Sequence, residues 1–177
     1  DAVLFLGDYI YEDNVDSVYP DRLHEPDAKA VQIVEYRIRH SQYRLDPDLQ
    51  AAHQQYPWIC VWDDHETANN SYTDGAKNHT LPNDGPWYDR KVNGVEAYYE
   101  WMPIRLPDLS DTFKIFRRFT WGDLADLNMI DTRLYDRDRQ VTTSQFVAAN
   151  DPMILDSTRT MIGPVQADWL NNNLDSS

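Results

Sequence analysis

The sequence predicts an α/β protein organised around a parallel strand pair joined by a helical crossover. Three observations carry this reading. Val3-Leu4-Phe5-Leu6-Gly7 and Trp58-Ile59-Cys60-Val61-Trp62 are short apolar runs bounded by polar residues, the pattern of strands buried on both faces. Residues 28–55 between them read as helical, which completes a βαβ unit with parallel strands. Each apolar run ends in a burst of acid: Asp8-Tyr9-Ile10-Tyr11-Glu12 after the first, and Asp63-Asp64-His65-Glu66 with Asn69-Asn70 after the second. Parallel strands point the same way, so both bursts are expected at one edge of the sheet, where open α/β sheets bind their ligands.

The elements follow in order. Residues 14–26 form a polar loop with two prolines. Val31, Val34, Ile38 and Tyr43 recur at near-helical spacing and predict a helix over 28–43. Asp46-Pro47 is a cap with proline at the first helical position, opening a short helix to residue 55; Pro57 ends it and sets up the second strand. Residues 69–90 are long, polar and rich in Asn, Asp, Gly and Pro, the composition of a functional lid or a disordered loop. A helix over 95–102 ends at Pro103. Residues 113–121 and 124–130 read as two strands joined by a two-residue Gly122-Asp123 turn. The second ends in a third polar burst, Asp131-Thr132-Arg133. Residues 140–157 read as irregular, and Gly163-Pro164 opens a last helix through Trp169 and Leu170. No internal repeat is visible.

Composition sets limits on function. The 177 residues are 41% hydrophobic and 12% aromatic, enough for one folded core. The net charge of −14 opposes non-specific nucleic-acid binding and docking to anionic lipid. Such a protein handles a phosphate ester only if bound cations supply local positive charge. Cys60 is the single cysteine, so no intrachain disulfide forms. No apolar run reaches membrane-spanning length, and no signal peptide is visible. The chain enters a strand almost at once with no initiator methionine, so it reads as a piece of a longer protein and says nothing about export.

Carboxylates crowded at one sheet edge repel unless a cation sits between them. Asp8 follows Gly7, which lets the backbone turn sharply and approach a ligand. Tyr11 lies three residues on, and a phenolate is a hard oxygen ligand suited to ferric iron. Asp64 and Asn69 offer the oxygen donors that hard cations such as calcium prefer. His65 is a candidate ligand, proton donor or hydrogen-bond donor to a phosphoryl oxygen. Arg133 carries a fixed fork of donors that matches phosphate. Each has an ordinary reading beside this one. Asp8 fits a turn or helix cap, Tyr11 fits a core, and Arg133 fits an ion pair. His24, His40, His53 and His79 lie in no motif and read as surface or helix-face residues. The coincidence of three polar bursts, each after an apolar strand, favours metal binding.

At this level of detail the sequence resembles a known family. Leu6-Gly7-Asp8-Tyr9-Ile10-Tyr11-Glu12 is similar to the Gly-Asp motif of calcineurin-like metallophosphoesterases, and more narrowly of the PhoD-like alkaline phosphatase and phosphodiesterase branch. Tyr43-Arg44 with Asp46-Pro47-Asp48-Leu49, Trp62-Asp63-Asp64-His65-Glu66 with Asn69-Asn70, residues 98–105 and Ile130-Asp131-Thr132-Arg133-Leu134-Tyr135 agree, as do Gly163, Gln166 and Trp169-Leu170. The resemblance implies a four-layer αββα sandwich with mixed sheets, of which residues 1–177 form part of a single catalytic domain. It implies a mixed iron and calcium centre in which Asp8 bridges the metals, Tyr11 binds ferric iron, and Asp64 and Asn69 serve calcium. His65 and Arg133 would contact the phosphoryl group of a small phosphate-ester substrate, hydrolysed by a metal-activated hydroxide. It also implies an exported enzyme. The family's further ligands, often a cysteine on an earlier strand and later Asp and His residues, are not visible here. The site in this chain alone is therefore expected to be incomplete. Cys60 precedes its acid burst and is not assigned as a ligand.

Two other functions fit parts of the sequence. A non-catalytic extracellular module with structural calcium accounts for the acids but not for Tyr11. A glycosidase pair of Asp63 and Glu66 leaves Asp8, Tyr11 and Arg133 without a role.

Overall fold

The computed structural model describes residues 1–13, 23–142 and 151–176. Most of the predicted 14–26 loop, and residues 143–150 of the predicted 140–157 stretch, lie outside the described residues. Strands β1 (Val3–Phe5) and β2 (Trp58–Cys60) pair in parallel, with Val3 opposite Trp58 and Phe5 opposite Cys60. Helices α1 (Ile33–Tyr43) and α2 (Pro47–Gln55) lie between them, so the crossover is as predicted. The strands are not buried on both faces, however: Leu4 is 51% exposed and Leu6 70%. Among the described residues this sheet has two strands, and the core aromatics cover one side of it while the alternate side chains stay open.

Helix α1 begins later than its periodicity predicts. The Glu35 carboxylate accepts from the backbone N–H groups of Val31 and Gln32, both at 2.7 Å, and so fixes the start of the helix there. Helix α2 starts as predicted. Asp46 accepts from the N–H groups of Asp48 and Leu49 at 2.9 Å, and Pro47 opens the first turn. Such a cap contributes about 1 kcal/mol.

Helix α3 (Trp87–Trp101) is twice as long as the sequence suggests and shortens the loop before it. Its first half carries Asp89, Arg90, Lys91 and Asn93, whose polarity hides the periodicity, yet Arg90 and Lys91 are buried. The loop is tied down rather than free: Trp87 Nε1 donates to the Thr73 carbonyl at 3.0 Å, and Tyr72 bridges Gly75. Strands β3 (Arg117–Trp121) and β4 (Ala125–Met129) form the predicted antiparallel hairpin. Trp121 pairs with Ala125, so the turn has three residues instead of two, with Gly122 at φ +53°. Residues 113–116 stay outside β3 because the Asp111 side chain and carbonyl hold the Phe113 and Lys114 N–H groups in a turn. Within the stretch read as irregular, Asp151 caps a short helix, α4 (Pro152–Leu155). Helix α5 (Gly163–Asp175) closes the described chain.

The core centres on Trp62, Tyr98, Tyr36, Ile10, Ile115 and Leu134, with α1 packed on α3. Trp62 meets Tyr98 edge-on at 5.5 Å, one of the geometries aromatic pairs prefer. His40 belongs to this core and not to the surface. It is fully buried, with its ring 6.0 Å from those of both Tyr9 and Trp101, and burial pulls its pKa down to about 3, so it is neutral. His53 stacks on Trp58 at 3.8 Å and bonds the Tyr9 hydroxyl at 2.8 Å. No described helix is long and apolar enough to cross a membrane.

Candidate metal centre

The ends of β1 and β2 are forced together by the backbone. Gly7 sits at φ +109°, and a Cβ there would lie 2.2 Å from the Asp63 nitrogen. Only glycine permits that approach. Asp8 follows at φ +56°, a left-handed conformation that a short acidic side chain tolerates, and Asn70 across the site is at φ +55°. Glu66 locks the two ends: its buried carboxyl accepts from Tyr9 N–H at 2.6 Å and from Asp63 N–H at 2.9 Å. Burial raises the Glu66 pKa to about 8 against those two hydrogen bonds. Both oxygens of Asp63 are taken up by Arg133. Neither residue is placed to act as a glycosidase carboxylate.

The outcome is a cluster. Asp8, Asp64 and His65 each present a ligand atom, and the three atoms lie within 4.8 Å of one another. The buried Oδ1 of Asp8 has no hydrogen-bond partner among the described residues. Its Oδ2 accepts from the Tyr11 hydroxyl at 3.1 Å. Tyr11 is 43% exposed, which rules out the core role, and its ring lies 4.3 Å from that of His65. Burial, the Asp8 charge and the Asp8 hydrogen bond push the Tyr11 phenol up to about 12. Asp64 Oδ2 accepts from Asn70 N–H at 2.5 Å. Burial and the neighbouring Asp63 charge raise the Asp64 carboxyl despite the nearby cations. An orphaned buried carboxylate oxygen beside a second carboxylate, a phenol and an imidazole is a donor set that fits a hard cation.

The other expected residues are placed nearby. Asn69 is two hydrogen bonds from His65: its N–H donates to Glu12 Oε1 at 2.6 Å, and Glu12 Oε2 accepts from His65 Nδ1 at 2.6 Å. Arg133 forks onto Asp63, Nε to Oδ1 at 2.6 Å and Nη2 to Oδ2 at 2.9 Å, with Nη2 also 3.8 Å from Asp64. The third burst thus joins the first two. Its arginine is held by a carboxylate at the site margin, with Nη1 not spent on Asp63. The turn that carries it is rigid. Asp131 Oδ1 accepts from the N–H groups of Arg133 and Leu134, and Gln166 of α5 exchanges two hydrogen bonds with the Asp131 backbone, at 2.7 and 2.8 Å. Gly163 opens α5 where a Cβ would strike Asp136 at 2.2 Å.

Sequence reasoning missed two residues that build the site. Glu12 was seen only as one acid of a burst, yet it is fully buried and holds His65. Arg39 lies in no motif. It is buried and donates to the carbonyls of Tyr11, Asp13, Glu25, Pro26 and Ala28, pinning the segment that carries Tyr11 and Glu12.

Electrostatics give a stability prediction for the metal-free protein. Burial lowers the His65 pKa, but the Glu12 hydrogen bond and charge, with Asp64 and Asp8, outweigh it and raise it to about 9. Burial likewise opposes ionisation of Glu12, and the hydrogen bonds from His65, Asn69 and Asn78 hold its pKa below the ordinary 4.5. The native state therefore keeps the His65 proton more tightly than the unfolded chain. That stabilisation is complete below pH 6.5 and fades as pH rises through about 9. The Glu12 contribution is present above pH 4.5 and lost as pH falls. Metal-stripped protein should melt lower above pH 9 than at pH 6.5, and His65→Asn should flatten the difference. An unaltered pH dependence in that variant would remove the pair from the account.

A parallel strand edge that converges two carboxylates and a histidine, with an arginine fork at its margin, defines an α/β protein with a candidate metal site. The chain belongs to the PhoD-like phosphatase family, which it matches along residues 1–177. It is 38% identical over 187 residues to alkaline phosphatase D of Bacillus subtilis (strain 168), covering 100% of this chain and 30% of that protein. It also superimposes on a solved structure of PhoD with a TM-score of 0.80 at 37% identity, covering 100% of this chain and 34% of that one. The chain thus spans about a third of the length of these relatives.

Proposed function

We propose that the complete protein containing this chain is a metal-dependent hydrolase of small phosphate esters, monoesters or diesters. The observation that carries the proposal is the unpartnered, buried Asp8 Oδ1 facing a cluster with Asp64 and His65. Residues 1–177 would form part of one catalytic domain with a four-layer αββα architecture, in an enzyme that would be exported. Asp8, Tyr11, Asp64 and Asn69 would hold ferric iron and calcium. When bound, these ions supply positive charge for the phosphoryl oxygens and lower the pKa of water.

The chain's own residues do the rest. Tyr11 would hold iron as a phenolate, the proton it directs at Asp8 passing to water. Glu12 accepts from His65 Nδ1 and its charge keeps the ring protonated, with a pKa raised to about 9, so Nε2–H is left to donate to a phosphoryl oxygen. Arg133, oriented by Asp63, faces the charge that builds in the transition state. Glu66 and Gly7 keep the two strand ends at fixed separation, which preserves the positions of Asp8 and Asp64.

Tyr11 separates this reading from a structural calcium module. The iron-loaded enzyme should be purple to red through phenolate charge transfer, and Tyr11→Phe should bleach it. A colourless iron-loaded wild type, or colour that survives in Tyr11→Phe, takes Tyr11 off the metal. Release of chromophore from an aryl phosphate ester by the complete protein tests the reaction itself; absence of turnover with metals bound contradicts it.

A further inference from the structure

A cavity of about 560 Å³ opens beside the metal cluster, between residues 70–79 and residues 139–142. Asn70 belongs to both places. Its N–H donates to Asp64 Oδ2 at 2.5 Å, and its carbonyl accepts from Gln140 Nε2 at 3.1 Å. The two walls are tied to each other and to the site. Thr73 N–H donates to the Arg137 carbonyl at 3.1 Å, and Lys77 N–H donates to the Asn69 carbonyl at 3.0 Å. Arg137 reaches back to the Thr132 carbonyl, and Asp138 exchanges two hydrogen bonds with Thr160, at 2.7 and 3.0 Å.

The charge of this cavity is the reverse of the chain's. Asp and Glu outnumber Lys and Arg by 30 to 16, yet no carboxylate lines the cavity among the described residues, and Lys77 and Arg139 both do. Cations elsewhere are spent: Lys29 on Asp84, Arg37 on Glu100, Arg118 on Asp126, Arg133 on Asp63, and Arg39 and Arg117 on carbonyls. Among the described residues, only Lys77, Arg105 and Arg139 have basic side chains with no hydrogen bond, ion pair or aromatic face. Two of those three meet in one cavity. Like charges gathered without a counter-charge repel, so the arrangement suits an anion. Lysine brings a mobile point charge and arginine a planar fork, and both match phosphate oxygens.

We propose that this cavity is a subsite for a second anionic group of the substrate, so that the protein selects phosphate esters whose alcohol carries a further phosphate. The inference rests on the reading of the metal cluster as the place where the first phosphate binds. Lys77 and Arg139 touch the far group and not the bond that is cut. The long polar loop supplies one of them, which gives that loop a part in substrate choice.

The test uses the complete metal-loaded protein and two unreactive probes, a terminal alkane bisphosphonate and the monophosphonate of the same chain, compared by calorimetry over several chain lengths. At the length that spans the two places, the bisphosphonate should bind roughly fivefold to tenfold tighter. That ratio should fall toward one in Lys77→Ala and in Arg139→Ala. It should stay at the wild-type value in Arg105→Ala, which removes an exposed cation outside the cavity. Equal affinities in the wild type, binding of neither probe, or the same fall in Arg105→Ala overturns the proposal. In turnover, an alkanediol bisphosphate should show a lower KM than the monophosphate of the same diol, and the two cavity variants should narrow the difference. If the protein hydrolyses no phosphate ester, the proposed function falls, while the ratio of phosphonate affinities still decides whether the cavity holds a second anion.

Discussion

Asp8→Ala should strip most of the iron and most of the activity from the complete enzyme. Asp8 Oδ1 is buried with no hydrogen-bond partner among the described residues, and Oδ2 has only the Tyr11 hydroxyl. Little of the fold depends on this side chain, so its placement after Gly7 in a left-handed turn is accounted for by a ligand. Lewis-acid stabilisation at such a centre is worth several kcal/mol, which is roughly a hundredfold in rate or more. Metal content by elemental analysis and turnover on an aryl phosphate check this. Normal iron and normal kcat in Asp8→Ala would contradict the assignment.

Arg133→Ala should lower kcat as well as raise KM while the metals stay in place. A guanidinium that meets phosphate matters more as charge builds in the transition state than in the ground state. Loss of one such contact costs on the order of 3 kcal/mol, or roughly a hundredfold in rate. Arg133→Lys should recover only part, since an ammonium cannot reproduce the fork that Nε and Nη2 make with Asp63. The ion pair gives the alternative real weight: Arg133 is also placed to hold Asp63 and the strand end behind it. Turnover and melting temperature separate the two. Near-wild-type kcat with a large loss of melting temperature would make Arg133 structural only.

The parallel pair and the convergence of the acid bursts were legible because both are local patterns: an apolar run, a glycine, then carboxylates. The cap at Asp46-Pro47 and the hairpin around Gly122 were legible for the same reason. What escaped was written in tertiary contacts. The start of α3 is polar in sequence, and only burial of Arg90 and Lys91 against backbone carbonyls makes it helical core. His40 has no motif, because stacking between Tyr9 and Trp101 leaves no trace in its neighbours. Arg39 and Glu12 serve partners many residues away, so no spacing rule finds them. The exposure of Leu4 and Leu6 was hidden for the opposite reason, since an apolar run looks alike whether one face is covered or two.

Metal titration of the chelator-stripped complete enzyme, followed by release of chromophore from an aryl phosphate ester, addresses the central claim most directly. The account predicts an inactive stripped enzyme whose turnover returns in step with metal bound by Asp8, Tyr11, Asp64 and Asn69, and no return in Asp8→Ala. Full turnover by stripped enzyme, or equal recovery in Asp8→Ala, would contradict it.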